Sequence, residues 1–326
     1  MVILSRPAFL LTLIGAVVTP QFACAQRFPA SDPAVACSRA NLEQSVTVDQ
    51  LTFSSYHNEK EGTACFQAVR NGRILFRRTS DNDGDYLIGQ RPNPRRCWNV
   101  PNISDGVDLT GLGHPDMVVC SYTGGAHCCL PAWVFELQPA FRRIAAIDAE
   151  DTWPAYFADV DHNGHYYFLS DDWTFAYWPN SFAGSPVAPI VLQFVPDGKG
   201  GGSYHLALEK MRKPAPTPAE WNKSLRHARA AFSNGPWPLF LGATLWTTEM
   251  RLIYSGHSDL AWKFLNEAWP AKIPGKQSWL GDFCSRLKTS PCWLDLQPSL
   301  RDTPAVCAAA KPKMQQTPFP ARGYFR

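Results

Sequence analysis

The chain lacks the signatures that would name a reaction. Its 326 residues contain no nucleophile elbow, zinc-protease motif, P-loop or dinucleotide fingerprint, so the best-marked hydrolase and nucleotide chemistries have no sequence support. Beyond the N-terminus there is no apolar run of about 20 residues, the length a membrane-crossing helix needs. Strong net charge is missing too: 31 Lys and Arg against 28 Asp and Glu leave +3. That gives no electrostatic case for nucleic acid or an anionic membrane.

What is present starts with an export signal. Arg6 precedes an apolar run from Ala8 to Val18, and Ala23-Cys24-Ala25 follows. This pattern predicts a signal peptide over 1–25, cleaved after Ala25, and a periplasmic or secreted product. Lipidation of Cys24 is the alternative, although Gln21 stands where a lipoprotein signal has an aliphatic residue. Nine cysteines remain after cleavage: Cys37, Cys65, Cys97, Cys120, Cys128, Cys129, Cys284, Cys292 and Cys307. In an exported chain their default use is structural disulfides. An odd number leaves at least one thiol free, metal-bound or paired between molecules. The grouping fits separate pairing before Cys129 and after Cys284.

Residues 26–44 read as an irregular lead-in. From 45 to 212 short runs alternate or are continuously apolar, separated by turn signals, with Asn71-Gly72 the clearest hairpin signal. Runs at Met117–Tyr122, Ala132–Leu137, Tyr166–Leu169, Thr174–Trp178 and Ser203–Leu208 are among the predicted strands. A Pro-rich linker over 213–220 leads to a helical region over 221–300, and 301–326 reads as a loose tail. Thr217, Pro218 and Glu220 have capping-box spacing. A second helix is predicted from Pro238 to Ser255, a third is capped by Ser258, and Trp279, Phe283 and Leu287 share a face of a fourth. The predicted fold class is mainly β, with propeller-like or sandwich-like antiparallel sheets, followed by an α-helical C-terminal region.

The candidate sites lie in two acidic, glycine-bearing loops. Asp159, Asp161 and Asn163 alternate before Gly164, and the His165 carbonyl adds another oxygen, an arrangement suited to a hard cation such as calcium. Ser170 stands where an EF-hand has its closing Glu, and strand-forming residues follow instead of a helix. The earlier loop offers fewer ligands, Asp108, Thr110 and Asp116, because Leu112 brings no side-chain oxygen. A plain turn with Asp side chains bonding backbone N–H groups is the competing reading of both.

These loops, starting 51 residues apart and each followed by strand residues, resemble the FG-GAP or VCBS-type repeat, whose loop runs Asp-x-Asp-x-Asp-Gly-x-x-Asp. The resemblance implies calcium binding and propeller blades. The runs Ser121–Cys129 and Asp172–Trp178 are similar to a group of exported bacterial proteins whose function is not established. Between the loops, His127, Cys128 and Cys129 suggest structural disulfides first, then a redox-active adjacent pair, then a metal site. Asp171 and Asp172 are consecutive and so face apart in a strand, which weakens a glycosidase pairing. Trp173, Phe175, Tyr177 and Trp178 read as core or as a sugar platform.

The sequence therefore predicts a disulfide-supported binding module with a weak calcium site and a protein or glycan partner in the cell envelope. The alternatives are an envelope carbohydrate- or peptide-acting hydrolase using Asp171, Asp172 or His127, and a redox protein using Cys128 and Cys129.

Overall fold

A computed structural model describes residues 37–60, 62–80, 85–89, 103–122, 130–152, 154–178, 181–232 and 242–313. Its β part consists of three four-stranded antiparallel sheets. The first holds β1 (Leu42–Val48), β2 (Leu51–Asn58), β3 (Thr63–Arg70) and β4 (Arg73–Ser80) in chain order. The second holds β5 (Asp85–Ile88), β6 (Asp116–Tyr122), β7 (Pro131–Glu136) and β8 (Arg142–Asp148), and the third β9 (Tyr156–Ala158), β10 (Tyr167–Asp172), β11 (Ala188–Pro196) and β12 (Gly202–Leu206). Each sheet is a simple meander, and no closed barrel forms among the described residues.

Local chemistry explains several joins. Asn71 and Gly72 connect β3 to β4 with φ of 50° and 76°, the left-handed pair that a tight hairpin turn demands and that Asn and Gly tolerate. Ser38 caps a short 3-10 turn, and β1 starts directly after it. The lead-in therefore ends at 41 rather than 44.

The second sheet is the centre of the molecule. β6 and β7 are buried on both faces, so their sequences run continuously apolar instead of alternating. On one face Met117, Val119, Trp133 and Phe135 pack against Phe53 and Phe66 of the first sheet. On the other, Val118, Ala132 and Val134 share a core with Phe157, Phe168 and Tyr204 of the third sheet. That core continues into the helices through Trp246, Phe264 and Phe283.

The helices are α1 (Leu208–Met211), α2 (Pro218–Ala231), α3 (Gly242–Tyr254), α4 (Ser258–Ala268), α5 (Lys276–Leu287), α6 (Trp293–Leu296) and α7 (Ala305–Ala309). The capping box at Thr217 is complete: its hydroxyl accepts from the Glu220 N–H, and the Glu220 carboxylate accepts from the Thr217 N–H. Helix therefore begins at Pro218, the first helical position that the capping-box spacing indicates, so the linker predicted over 213–220 ends at 217. Trp279, Phe283 and Leu287 are buried as expected. Ser258 is not a cap. It is the first residue of α4, and its hydroxyl bonds the Arg301 backbone. The predicted start of α3 at Pro238 lies outside the described residues.

Two predicted strands are corrected. Leu208 belongs to α1, so the last strand ends at Leu206. Thr174–Trp178 is a turn. The Asp172 carboxylate takes the Thr174 N–H, and backbone bonds from Ala176 to Trp173 and from Trp178 to Phe175 close it. A three-residue spacing then sends Phe175 and Trp178 onto Phe283 in the core. Trp173 and Tyr177 instead meet Phe182, with Tyr177 exposed.

The tail is tied down through Ala310. Cys307 is disulfide-bonded to Cys284, and the Lys288 ammonium holds the carbonyls of Ala308 and Ala310. Cys37 pairs with Cys65, so the two pairs lie in the two regions that the spacing suggested. Cys120 and Cys292 are also disulfide-bonded, and no described cysteine is free. The expected unpaired thiol is therefore not among them. Cys97, His127, Cys128, Cys129 and the predicted signal segment over 1–25 lie outside the described residues. No helix among the described residues is long and apolar enough to cross a membrane.

Candidate functional site: the paired acidic loops

Each acidic loop leads directly into the second strand of its sheet, β6 for the first loop and β10 for the second. Their backbones are closed by the same bonds. Asp108 accepts the N–H of Leu112 on Oδ1 (3.2 Å) and that of Gly113 on Oδ2 (2.7 Å). Asp159 accepts the N–H of Asn163 on Oδ1 (3.0 Å) and that of Gly164 on Oδ2 (2.9 Å). In both, the first Asp gathers amides four and five residues on, and a glycine with positive φ completes the reversal (Gly113 +83°, Gly164 +85°). Backbone groups do this work, so Leu112 can replace a polar residue without changing the turn. The amide of Gly164, joined by that of Asn163, holds the Asp159 carboxyl below its usual range, against the opposing effect of burial.

The remaining polar residues exchange roles between the loops. In the first, Thr110 donates its hydroxyl to Asp116 Oδ2 at 2.9 Å, and the N–H groups of Leu109 and Thr110 join it at 2.9 and 3.0 Å. In the second, the corresponding late position is Tyr167, whose hydroxyl donates to Asp161 at 3.1 Å. Asp161 also holds the Lys210 ammonium, 2.8 Å from Oδ1 and 2.7 Å from Oδ2. Lys210 lies 5.5 Å over the Tyr167 ring as well. This contact pulls the Asp161 carboxyl below its ordinary value and raises the Lys210 ammonium. The second loop thus carries a tethered cation on its most exposed carboxylate.

Asp116 is the opposite case. It is 1% exposed, and its Oδ1 has no hydrogen-bond partner. Burial pushes its carboxyl up to about 7, overriding the donors from Thr110 and Leu109. Tyr204, fully buried in the third sheet, also leaves its hydroxyl unpartnered. Burial raises that phenol well above its ordinary value, with Asp116 and Asp108 adding to the effect.

The fold brings the two loops together. A Cβ on Gly111 would lie 3.4 Å from His165 Nδ1. Between the loops is a cleft of about 120 Å³ lined by Thr110, Gly111, His165, Tyr166, Tyr167, Gln193 and Phe194. Gln193 and Phe194 come from β11 and Lys210 from the four-residue α1. No local pattern marks any of the three in the sequence, because strand pairing and helix packing place them.

Asp171 and Asp172 do face apart: Asp172 is buried and Asp171 only half-buried. Asp172 accepts the Tyr254 and Ser290 hydroxyls, each at 2.5 Å, besides the Thr174 N–H. It therefore joins the third sheet to the helices. Among the described residues, the His, Cys, Asp and Glu groups that converge in threes are Glu43, His57 and Asp85, away from both loops. Compared with known proteins, the chain matches no family model, no curated protein and no solved structure.

Proposed function

We propose that the protein is an exported, disulfide-supported binding module whose ligand enters between the loops Asp108–Asp116 and Asp159–Tyr167. The observation that carries this reading is their juxtaposition around one cleft. Small-molecule pockets usually enclose about 300–1,000 Å³, so this one has room for a single ring or side chain of a larger partner. Its aromatic rings, imidazole and amide suit a sugar ring or a polar peptide side chain, in keeping with a glycan or protein partner in the cell envelope. The matching closure of the loops, at the same place in consecutive meanders, supports the FG-GAP or VCBS resemblance.

Calcium enters the proposal as a competitor of Lys210. An ion held by Asp159, Asp161, Asn163 and the His165 carbonyl needs the Asp161 carboxylate that Lys210 occupies. Binding to the native protein is therefore weak and strengthens in Lys210→Met, as calorimetry on chelator-treated protein will measure. Equal affinity in both proteins removes calcium from this loop. The binding reading itself is tested by NMR titration with soluble oligosaccharides and envelope-derived peptides. Shifts should centre on Tyr166, Gln193 and Phe194 and vanish in Gln193→Ala. Shifts that avoid the cleft overturn it.

A further inference from the structure

Outside the loops, Glu43, His57 and Asp85 bring one ligand atom each within 4.8 Å of one another. They come from β1, β2 and β5, so the cluster joins the first sheet to the second. We propose that these three residues form a site for a divalent transition metal of the zinc class. The site is separate from the proposed ligand cleft and does not depend on it.

Three features of the backbone build the cluster. The pairing of β1 with β2 shifts register between Leu42 and Gln44, which makes Glu43 the extra residue of a bulge. Bulges re-aim a side chain that a regular ladder would point elsewhere. His57 follows Tyr56, which pairs with Cys65, and Cys65 is disulfide-bonded to Cys37 shortly before β1. The disulfide thus ties the segment leading into β1 to β3, the other neighbour of β2, at the end of the sheet where the ligands meet. Asp85 opens β5 and bonds His57 Nδ1.

The chemistry of the donors selects the ion. One imidazole nitrogen and two carboxylate oxygens suit zinc and its neighbours, whereas calcium needs six to eight oxygens. Zinc ligands about 2.0–2.2 Å from the metal stand roughly 3.3–3.5 Å apart in a tetrahedron. The three ligand atoms already lie within 4.8 Å of one another, and Glu43, which is exposed, can rotate onto an ion. With three protein ligands, a fourth position stays open to water or to a donor from a partner. Glu59 adds to the negative potential at His57, which favours capture of a cation.

The test uses the full oxidised chain after chelator treatment, titrated with cobalt as a spectroscopic probe and then with zinc. We expect one equivalent of cobalt with a four- or five-coordinate visible spectrum, its displacement by zinc, and a rise in Tm with zinc. Glu43→Gln and Asp85→Asn, both at exposed or half-buried positions, should keep the native circular dichroism. Each should weaken cobalt binding at least about tenfold. His57→Ala should abolish the spectrum. Absence of the spectrum, or equal cobalt affinity in Glu43→Gln, Asp85→Asn and the native chain, overturns the proposal and leaves an ion pair.

Discussion

Asp116 shows how one buried carboxyl couples a loop to stability. Its three donors all use Oδ2, while Oδ1 is enclosed without a partner, so the charged form pays for desolvation on one side. Its folded pKa of about 7 lies above the ordinary carboxylate value, so the native state keeps a proton that the unfolded chain releases. Stability contributed here is complete below pH about 4 and is lost as pH rises towards 7. Asp116→Asn, neutral throughout, should flatten that slope, with a change of about 1–4 kcal/mol across the window. Urea unfolding at several pH values measures it, and an unchanged slope assigns the dependence to other groups. The sequence singled out Asp116 as an oxygen donor in a loop. It could not show the burial, which comes from the packing of the second sheet on the third.

At the scale of elements, the strongest local signals settled where chains turn and helices start. Asn71-Gly72 and the Thr217 box need only a few neighbouring residues, so both were legible. Thr217→Ala removes one side of that box and should lower stability by about 1 kcal/mol, measurable as a small fall in Tm without loss of fold. The Thr174–Trp178 segment misleads because aromatic residues at 173, 175 and 177 imitate strand alternation. Asp172 overrides that pattern by capping the Thr174 N–H, and the Arg286 guanidinium then holds the Thr174 and Ala176 carbonyls. A side chain on α5, more than a hundred residues away, supplies donors that no strand neighbour provides.

At the scale of the molecule, Asp172 is the bridge between the β layers and the helices. Tyr254 of α3 and Ser290 beyond α5 both donate to its Oδ2. In Asp172→Ala those two buried hydroxyls lose their shared carboxylate acceptor, at a cost of about 2–5 kcal/mol. Thermal unfolding should show a Tm fall larger than that of Thr217→Ala, and cleavage by a protease at low dose should start in the helical region. A variant as stable as the native chain means that the Asp172 contacts contribute little to holding the helices.

Composition and pattern by themselves determined that this chain forms short antiparallel strands followed by helices, with loops where Asp and Gly coincide. Those are local matters: two-residue alternation, capping spacing and the positive φ that Asn and Gly accept. Only tertiary structure decided that the second sheet is buried on both faces, that the two acidic loops share a cleft, and that Lys210 reaches Asp161. It also drew Glu43, His57 and Asp85 from separate strands to one point. Such meetings depend on strand order, register and the stacking of sheets, and partners far apart in the chain leave no periodic trace of them.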